Sequence, residues 1–189
     1  MLSIRAMDER EICLLYEQSL SRDFPASELK SLSAILGLYR RGMYDVLGAV
    51  WNDAVVAYAL IYRPKDDRVV LLDYLAVEPD FRKQGLGTQL LDLLRAHYAP
   101  IADIIMIECE RPKAAPDEAG ARKRIHFYTH AGAILTSVRI WLFGVEYSIL
   151  YMPCGKQLPE WDWAQKMLAM YRQMLPQDLF ISNVRLLRS

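Results

Sequence analysis

Val77-Glu78-Pro79-Asp80-Phe81-Arg82-Lys83-Gln84-Gly85-Leu86-Gly87-Thr88 is the stretch that decides the fold. Before it, Val69 to Val77 is almost wholly apolar, as in a strand covered on both faces. After it, Leu86 to Tyr98 reads as an amphipathic helix that turns Leu86, Leu90, Leu94 and Leu93 inward. The first N–H groups of such a helix have no intrahelical acceptor, and the helix dipole favours negative charge there. Gly85 and Gly87 remove the side chains that would keep an anion from those amides. Strand, turn and helix together suit an anionic, nucleotide-like ligand.

Composition narrows what surrounds this element. A chain of 189 residues suits one domain with a real core, and 53% hydrophobic residues argue against disorder. The 23 basic and 23 acidic residues cancel, which gives no electrostatic case for nucleic acid as a partner. Cys13, Cys109 and Cys154 are widely spaced and odd in number, as expected of reduced thiols in a cytoplasmic protein. Charged residues at Arg5, Asp8, Glu9 and Arg10 leave no room for a signal peptide, and no window is apolar for long enough to span a membrane. His97, His126 and His130 show no convergent ligand spacing, so no metal is expected.

Along the chain, Met1 to Ala6 predicts a strand and Asp8 to Ser21 a capped helix. A second helix is expected from Pro25 and Ser27 through Tyr39, ended by Gly42. Tyr44 to Trp51 and Val55 to Tyr62 flank Asn52-Asp53 as a β-hairpin. Further on come a strand over Ile101 to Glu110, a polar connection over Pro112 to Ala121 and a helix over Arg122 to Ala131. Two strands broken near Gly144 follow within Ile134 to Met152. After Pro153 and Gly155, Trp161, Ala164, Leu168, Tyr171 and Leu175 trace one helical face that Pro176 stops. The expected fold is α/β, a mixed sheet covered by helices, with residues 1–153 as the domain and 154–189 as a helical extension packed on it. The aromatic and Met-rich extension reads as a packing helix, with a homodimer contact or a lid as the other readings.

This order of elements, with Arg82, Gly85 and Gly87 in an Arg-x-x-Gly-x-Gly loop and Phe127-Tyr128 four residues before Gly132, resembles the GNAT superfamily of acyl-CoA-dependent N-acyltransferases. The resemblance covers about Met1 to Met152. It implies a mostly antiparallel central sheet with one splayed parallel pair and helices on both faces. It also implies that backbone amides of Arg82, Lys83, Gln84, Gly85, Leu86, Gly87 and Thr88 hold the CoA diphosphate, while Leu75, Ala76 and Val77 hydrogen-bond the pantetheine. Two positions depart from the common pattern: Ala121 stands where an Asn is frequent, and Ala133 follows Gly132 where a Phe is frequent.

Acetyl transfer from acetyl-CoA to a primary amine sets three demands. The amine, with a free pKa of about 10.4, must lose a proton. The developing oxyanion needs a donor, for which backbone N–H near Ala76 or Val77 is suited. The departing thiolate needs a proton, and a tyrosine hydroxyl with a pKa of about 10 can give it one. The resemblance assigns that role to Tyr128. For the proton acceptor, Asp73 interrupts an apolar strand two residues before Leu75, with a structural hydrogen bond as its other reading. Glu108 and Glu110 share one strand face and are rivals that would bind a cationic acceptor or relay its proton, while Cys109 opposite them reads as core. The acceptor is expected to be a small-molecule or peptide amine. The rival from another class is a non-catalytic CoA-binding regulatory module.

Overall fold

The computed structural model describes every residue except Ser27, Asp66, 155–159 and 188–189, and leaves the side chains of 160–163 outside the description. The described chain forms two compact units, one of Met1–Lys65 with Leu72–Leu94, the other of Asp66–Leu71 with Arg95–Ser189.

In the first unit, β1 (Ser3–Ala6) leads to Asp8, the cap of α1 (Glu9–Leu15). The Asp8 carboxylate accepts from the Glu11 amide and the Glu11 carboxylate from the Asp8 amide, a reciprocal cap worth about 1 kcal/mol. Ile12, Leu15 and Leu20 are buried, as the spacing predicts. The helix does not run regularly to Ser21, however. It widens to a π-helical turn over Tyr16–Leu20 and closes in a single α turn, α2 (Ser21–Asp23). The next helix, α3 (Leu32–Arg40), starts later than the sequence suggests, with the Ser31 hydroxyl accepting from the Ala34 amide. Of the expected start, Ser27 lies outside the described residues. The residues just before α3 are held instead by a strand far away in sequence: the Tyr74 hydroxyl accepts from the Lys30 amide and donates to the Glu28 carbonyl.

The hairpin of β2 (Tyr44–Trp51) and β3 (Ala54–Tyr62) turns on Asn52 and Asp53. Their φ angles of 49° and 62° are those a type I′ turn needs. β4 runs over Val69–Val77, as read from the sequence. The sheet order in this unit is β1-β2-β3-β4, with β1/β2 and β2/β3 antiparallel. α4 (Leu86–Tyr98) buries Leu86, Leu90, Leu91, Leu94 and Tyr98.

The second unit begins where β4 begins. The Arg68 carbonyl accepts from the amides of Asp103 and Ile104, and the Arg68 guanidinium pairs with the Asp103 carboxylate at 3.0 Å. β4 and β5 (Ile104–Glu110) thus start side by side in the same direction. Ile101 and Ala102 do not belong to β5, because their amides bond back to the Tyr98 carbonyl and finish the preceding helix. β6 (Ile134–Leu142) and β7 (Val145–Pro153) meet at Phe143-Gly144, both at positive φ. The order continues β5-β7-β6-β8 with antiparallel neighbours. Here β8 (Val184–Leu187) is a strand that the sequence reading lacks.

α5 (Glu118–His130) packs on β5 and β6. It starts four residues before the sequence expectation because Asp117 caps it, its side chain accepting from the Gly120 amide. α6 (Glu160–Met174) packs on β6 and β8, and a short α7 (Gln177–Asn183) joins it to β8. Its inward stripe is Ala164, Met167, Met170 and Tyr171, which shifts the expected face from Leu168 to the methionines. No helix of the described residues is long and apolar enough to cross a membrane.

A Cβ on Gly120 would collide with the Asp117 carboxylate, so helix propensity and capping oppose each other at the start of α5. With Asp117 present, Gly120→Ala should be neutral or destabilising. In an Asp117→Ala background the same change should stabilise by about 0.5–1 kcal/mol. Urea denaturation of the four proteins should therefore show a coupling of about 1 kcal/mol.

Candidate functional site

The first group of candidate residues is built at the end of β4. Val69 to Leu72 are buried, whereas Leu75, Ala76 and Val77 are all half-exposed, so the strand opens at its C-terminal end. A 3₁₀ turn, Pro79–Phe81, reverses the chain, and Arg82, Lys83, Gln84 and Gly85 lie exposed before Leu86 opens α4. Gly85 has φ +77°, and a Cβ there would meet nothing nearer than Gln89 Nε2 at 4.0 Å. Glycine is required at this point by the backbone conformation, not by crowding. Lys83 also adopts a positive φ, 62°, which costs a side-chain-bearing residue on the order of 1–2 kcal/mol. Local backbone strain of this kind is characteristic of ligand-gripping turns. The first turn of α4 has no acidic residue, so nothing there opposes an anion at the amides of Leu86, Gly87 and Thr88. The residues present therefore fit a diphosphate.

The Arg82 side chain points away from that role. Its Nε donates to the Val77 carbonyl at 2.8 Å and its Nη2 to Asp23 Oδ1 at 2.7 Å. Asp23 is almost fully enclosed and also takes donors from Arg22 at 2.8 Å and from the Tyr58 hydroxyl at 2.8 Å. Arg22 in turn binds Glu78 at 2.9 Å, and the Ser19 hydroxyl donates to the same carboxylate at 2.6 Å. The π-helical turn and α2 thus anchor both ends of the segment Glu78–Arg82 through one charged cluster. Burial alone would raise the Asp23 carboxyl, but Arg22, Tyr58 and Arg82 outweigh it and hold the group below the usual carboxylate range. Asp23, Tyr58 and Ser19 escaped the sequence reading because no motif marks them. Only the folded chain brings them to the loop.

Asp73 lies on β4 in the same unit, with its carboxylate nearly enclosed. Lys30 Nζ approaches both oxygens, at 2.8 and 2.7 Å, and the Tyr44 hydroxyl donates to Oδ2. The sequence singled out neither Lys30 nor Tyr44.

The second group lies in the other unit. Tyr128 is half-buried on α5, in the helix that packs on β5. Gly132 (φ +94°) ends that helix, and the Ala133 amide returns to the Tyr128 carbonyl at 2.9 Å, which fixes this turn. Burial first, and neighbouring Cys109 second, push the Tyr128 hydroxyl above its ordinary value. It stays protonated at any physiological pH and can act as a donor. Cys109 is itself pushed up to about 12 by burial, which keeps it a thiol. Glu108 receives the Tyr171 hydroxyl of α6 at 2.8 and 2.7 Å, so the C-terminal extension reaches a residue the sequence nominated. Glu110 is paired with Arg124. His126 and His130 stack at 6.0 Å on the exposed side of α5. Among the described residues, no three His, Cys, Asp or Glu side chains are placed to hold a metal ion.

The sequence model of the Acetyltransferase (GNAT) family matches residues 11–132. The chain belongs to this family. Among solved structures, a GNAT-family protein from Bacteroides thetaiotaomicron is similar with a TM-score of 0.70 at 19% identity, over 90% of this chain and 96% of its own. The ribosomal-protein-S18-alanine N-acetyltransferase of Escherichia coli follows with a TM-score of 0.61 at 19% identity, over 85% and 98%. The spermidine N-acetyltransferase of Vibrio cholerae, solved with CoA and spermine, gives 0.60 at 12% identity, over 80% and 95%. At these identities the likeness is one of fold. No curated protein sequence matches. In this GNAT chain the family match takes in β4, the loop and α4, and ends at Gly132, so β6 to β8 and α6 lie beyond it.

The Asp23 cluster makes a prediction about acid. A depressed carboxyl contributes stability above its unfolded pKa of about 3.9, and loses it as pH falls through the lower, folded value. Asp23→Asn should therefore be less stable than the wild type at pH 7. The gap measured by urea denaturation should narrow once the pH drops below about 4.

Proposed function

We propose that this GNAT protein transfers the acetyl group of acetyl-CoA to a primary amine of a small molecule or peptide, by direct attack of the amine within a ternary complex. The observation that carries this reading is the strand–loop–α4 element, with its positive-φ Gly85 and Lys83 and its exposed loop, in a chain of this family. Backbone amides of Arg82 through Thr88 would hold the diphosphate, with Arg82 bracing the loop from inside through Val77 and Asp23. Leu75, Ala76 and Val77 would offer their half-exposed backbone to the pantetheine.

Tyr128 is the general acid for the departing thiolate. Burial keeps its hydroxyl protonated at neutral pH, so it is present as a hydrogen-bond donor to the leaving thiolate. Asp73 is the proton acceptor, and Glu108 is the second choice. Both already hold hydroxyl donors that would orient them, Tyr44 on Asp73 and Tyr171 on Glu108. The enclosed carboxylate of Asp73 favours an acceptor that arrives as a cation. Cytoplasmic residence and a homodimer remain part of the proposal. The thiols of Cys109 and Cys154, both pushed up by burial, to about 12 and about 11, are consistent with a reduced protein.

A thiol-release assay with acetyl-CoA against a panel of amines and peptide N-termini tests the reading. Tyr128→Phe should lower turnover by roughly 10²–10⁴-fold and leave the CoA-induced rise in thermal midpoint unchanged. With burial holding Tyr128 protonated, the kcat/KM profile of the wild type should show no descending limb from this residue below about pH 10. Absence of any CoA-induced shift would overturn the assignment, and turnover that Tyr128→Phe leaves intact would remove the tyrosine from the mechanism.

A further inference from the structure

The surroundings of Asp73, the carboxylate proposed as proton acceptor, show what it can bind. Asp73 projects from β4 with its side chain only 9% exposed, and a carboxylate so enclosed needs a cation and hydrogen-bond donors around it. The structure supplies them from two different kinds of element. Tyr44 comes from β2, is 1% exposed, and gives its hydroxyl to Asp73 Oδ2. It is fixed by the sheet. Lys30 comes from the connection between α2 and α3, and its ammonium reaches both carboxylate oxygens.

The backbone at Lys30 does not depend on that ammonium. The Tyr74 hydroxyl grips the segment independently, at the Lys30 amide and the Glu28 carbonyl, both at 2.9 Å. The Lys30 side chain is 23% exposed, so solvent reaches it. Rotation of its own flexible stem would free Asp73 and leave the segment where it is. Nearby, Tyr62 is the cross-strand partner of Tyr44, and therefore shares its face of the sheet. The Tyr62 hydroxyl is buried and has no partner among the described residues. The chain thus keeps a buried polar group on this face that its own side chains leave unused.

We propose that Asp73 and Tyr44 form a receptor for a primary alkylammonium group, that Lys30 fills it as a tethered occupant, and that an incoming amine binds by displacing Lys30. A guest of this class matches Lys30 in chemistry: a compact NH₃⁺ on an unbranched apolar stem. An occupant that holds the receptor in most molecules lowers the apparent affinity of any free guest in proportion to the fraction closed. The receptor stands on these contacts alone. Identifying its guest as the acetyl acceptor rests on the function proposed above.

Calorimetry with n-propylammonium chloride as the probe tests it, because Lys30→Ala removes a propylammonium from the side chain. Lys30→Ala should bind the probe on the order of tenfold more tightly than the wild type, and the probe should restore thermal stability lost in the variant. Tetramethylammonium, which has no N–H to donate, should do neither. Adding Asp73→Asn to Lys30→Ala should abolish probe binding. Should Lys30→Ala not fold, Lys30→Met keeps a stem of equal length and vacates only the ammonium, so ammonium chloride is the probe in the same experiment. Equal binding to wild type and variant, or binding that survives Asp73→Asn, overturns the proposal. In the thiol-release assay, Lys30→Met should lower KM for primary amines. If neither protein releases thiol but propylammonium binds as described, the transferase reading fails and the receptor remains.

Discussion

A carboxylate removed from water must be met by donors, and Asp23 is the place where this chain obeys that rule most fully. Two arginines and a tyrosine converge on it, one of them Arg82 from the loop that begins α4. The same arginine closes on the Val77 carbonyl, so one guanidinium fixes the end of β4, the reversal after it and the final turn of α2. The positive side chain is thereby used up on the inside of the loop. What the loop offers outward is main chain: amides, a strained Lys83 and a glycine that only its φ demands. Charge placed behind a backbone site holds its shape without competing for its ligand.

This arrangement explains what could be read from the sequence and what could not. β4, the loop and α4 were legible to the residue, because each is dictated locally: an apolar run, a glycine pair, then leucines at helical spacing. Both hairpins were legible for the same reason, through Asn52-Asp53 and Gly144. One misplaced boundary is fixed at long range, another by a local cap. Residues 28–30 resemble the start of a helix, and the Glu28 and Leu29 amides do turn back to the Pro25 carbonyl, but Tyr74 takes the Lys30 amide and the Glu28 carbonyl, and α3 waits for Ser31. Asp117 was a readable cap for α5 and was passed over, since the polar run around it suggested a loop. In the extension, β8 has only four residues and no alternation strong enough to announce a strand; its partner β6 specifies it.

The candidate residues divide in the same way. Those in the loop are a motif and were found as one. Asp73, Glu108 and Tyr128 were nominated as types, acid or phenol in an apolar setting; Lys30 and Tyr44 were not nominated at all, and Tyr171 only as a packing residue. A partner is a property of the fold. The Tyr171 contact shows how far this can matter, because it lies beyond the family's shared region and still reaches β5. Changes in the extension therefore have a route to Glu108, whatever that carboxylate does.

The pairing of β8 has one more implication. Bonded along Arg139–Leu142, it saturates the outer hydrogen-bonding groups of a strand that would otherwise present them to any passing chain. The replacement rim is four residues long and carries Arg185, whose guanidinium lies 5.0 Å over the Trp141 ring. A short, charged border is a poor template for amyloid-like stacking. Ending the protein after β7, at Pro153, would strip that guard from β6 and leave a chain prone to self-association during refolding.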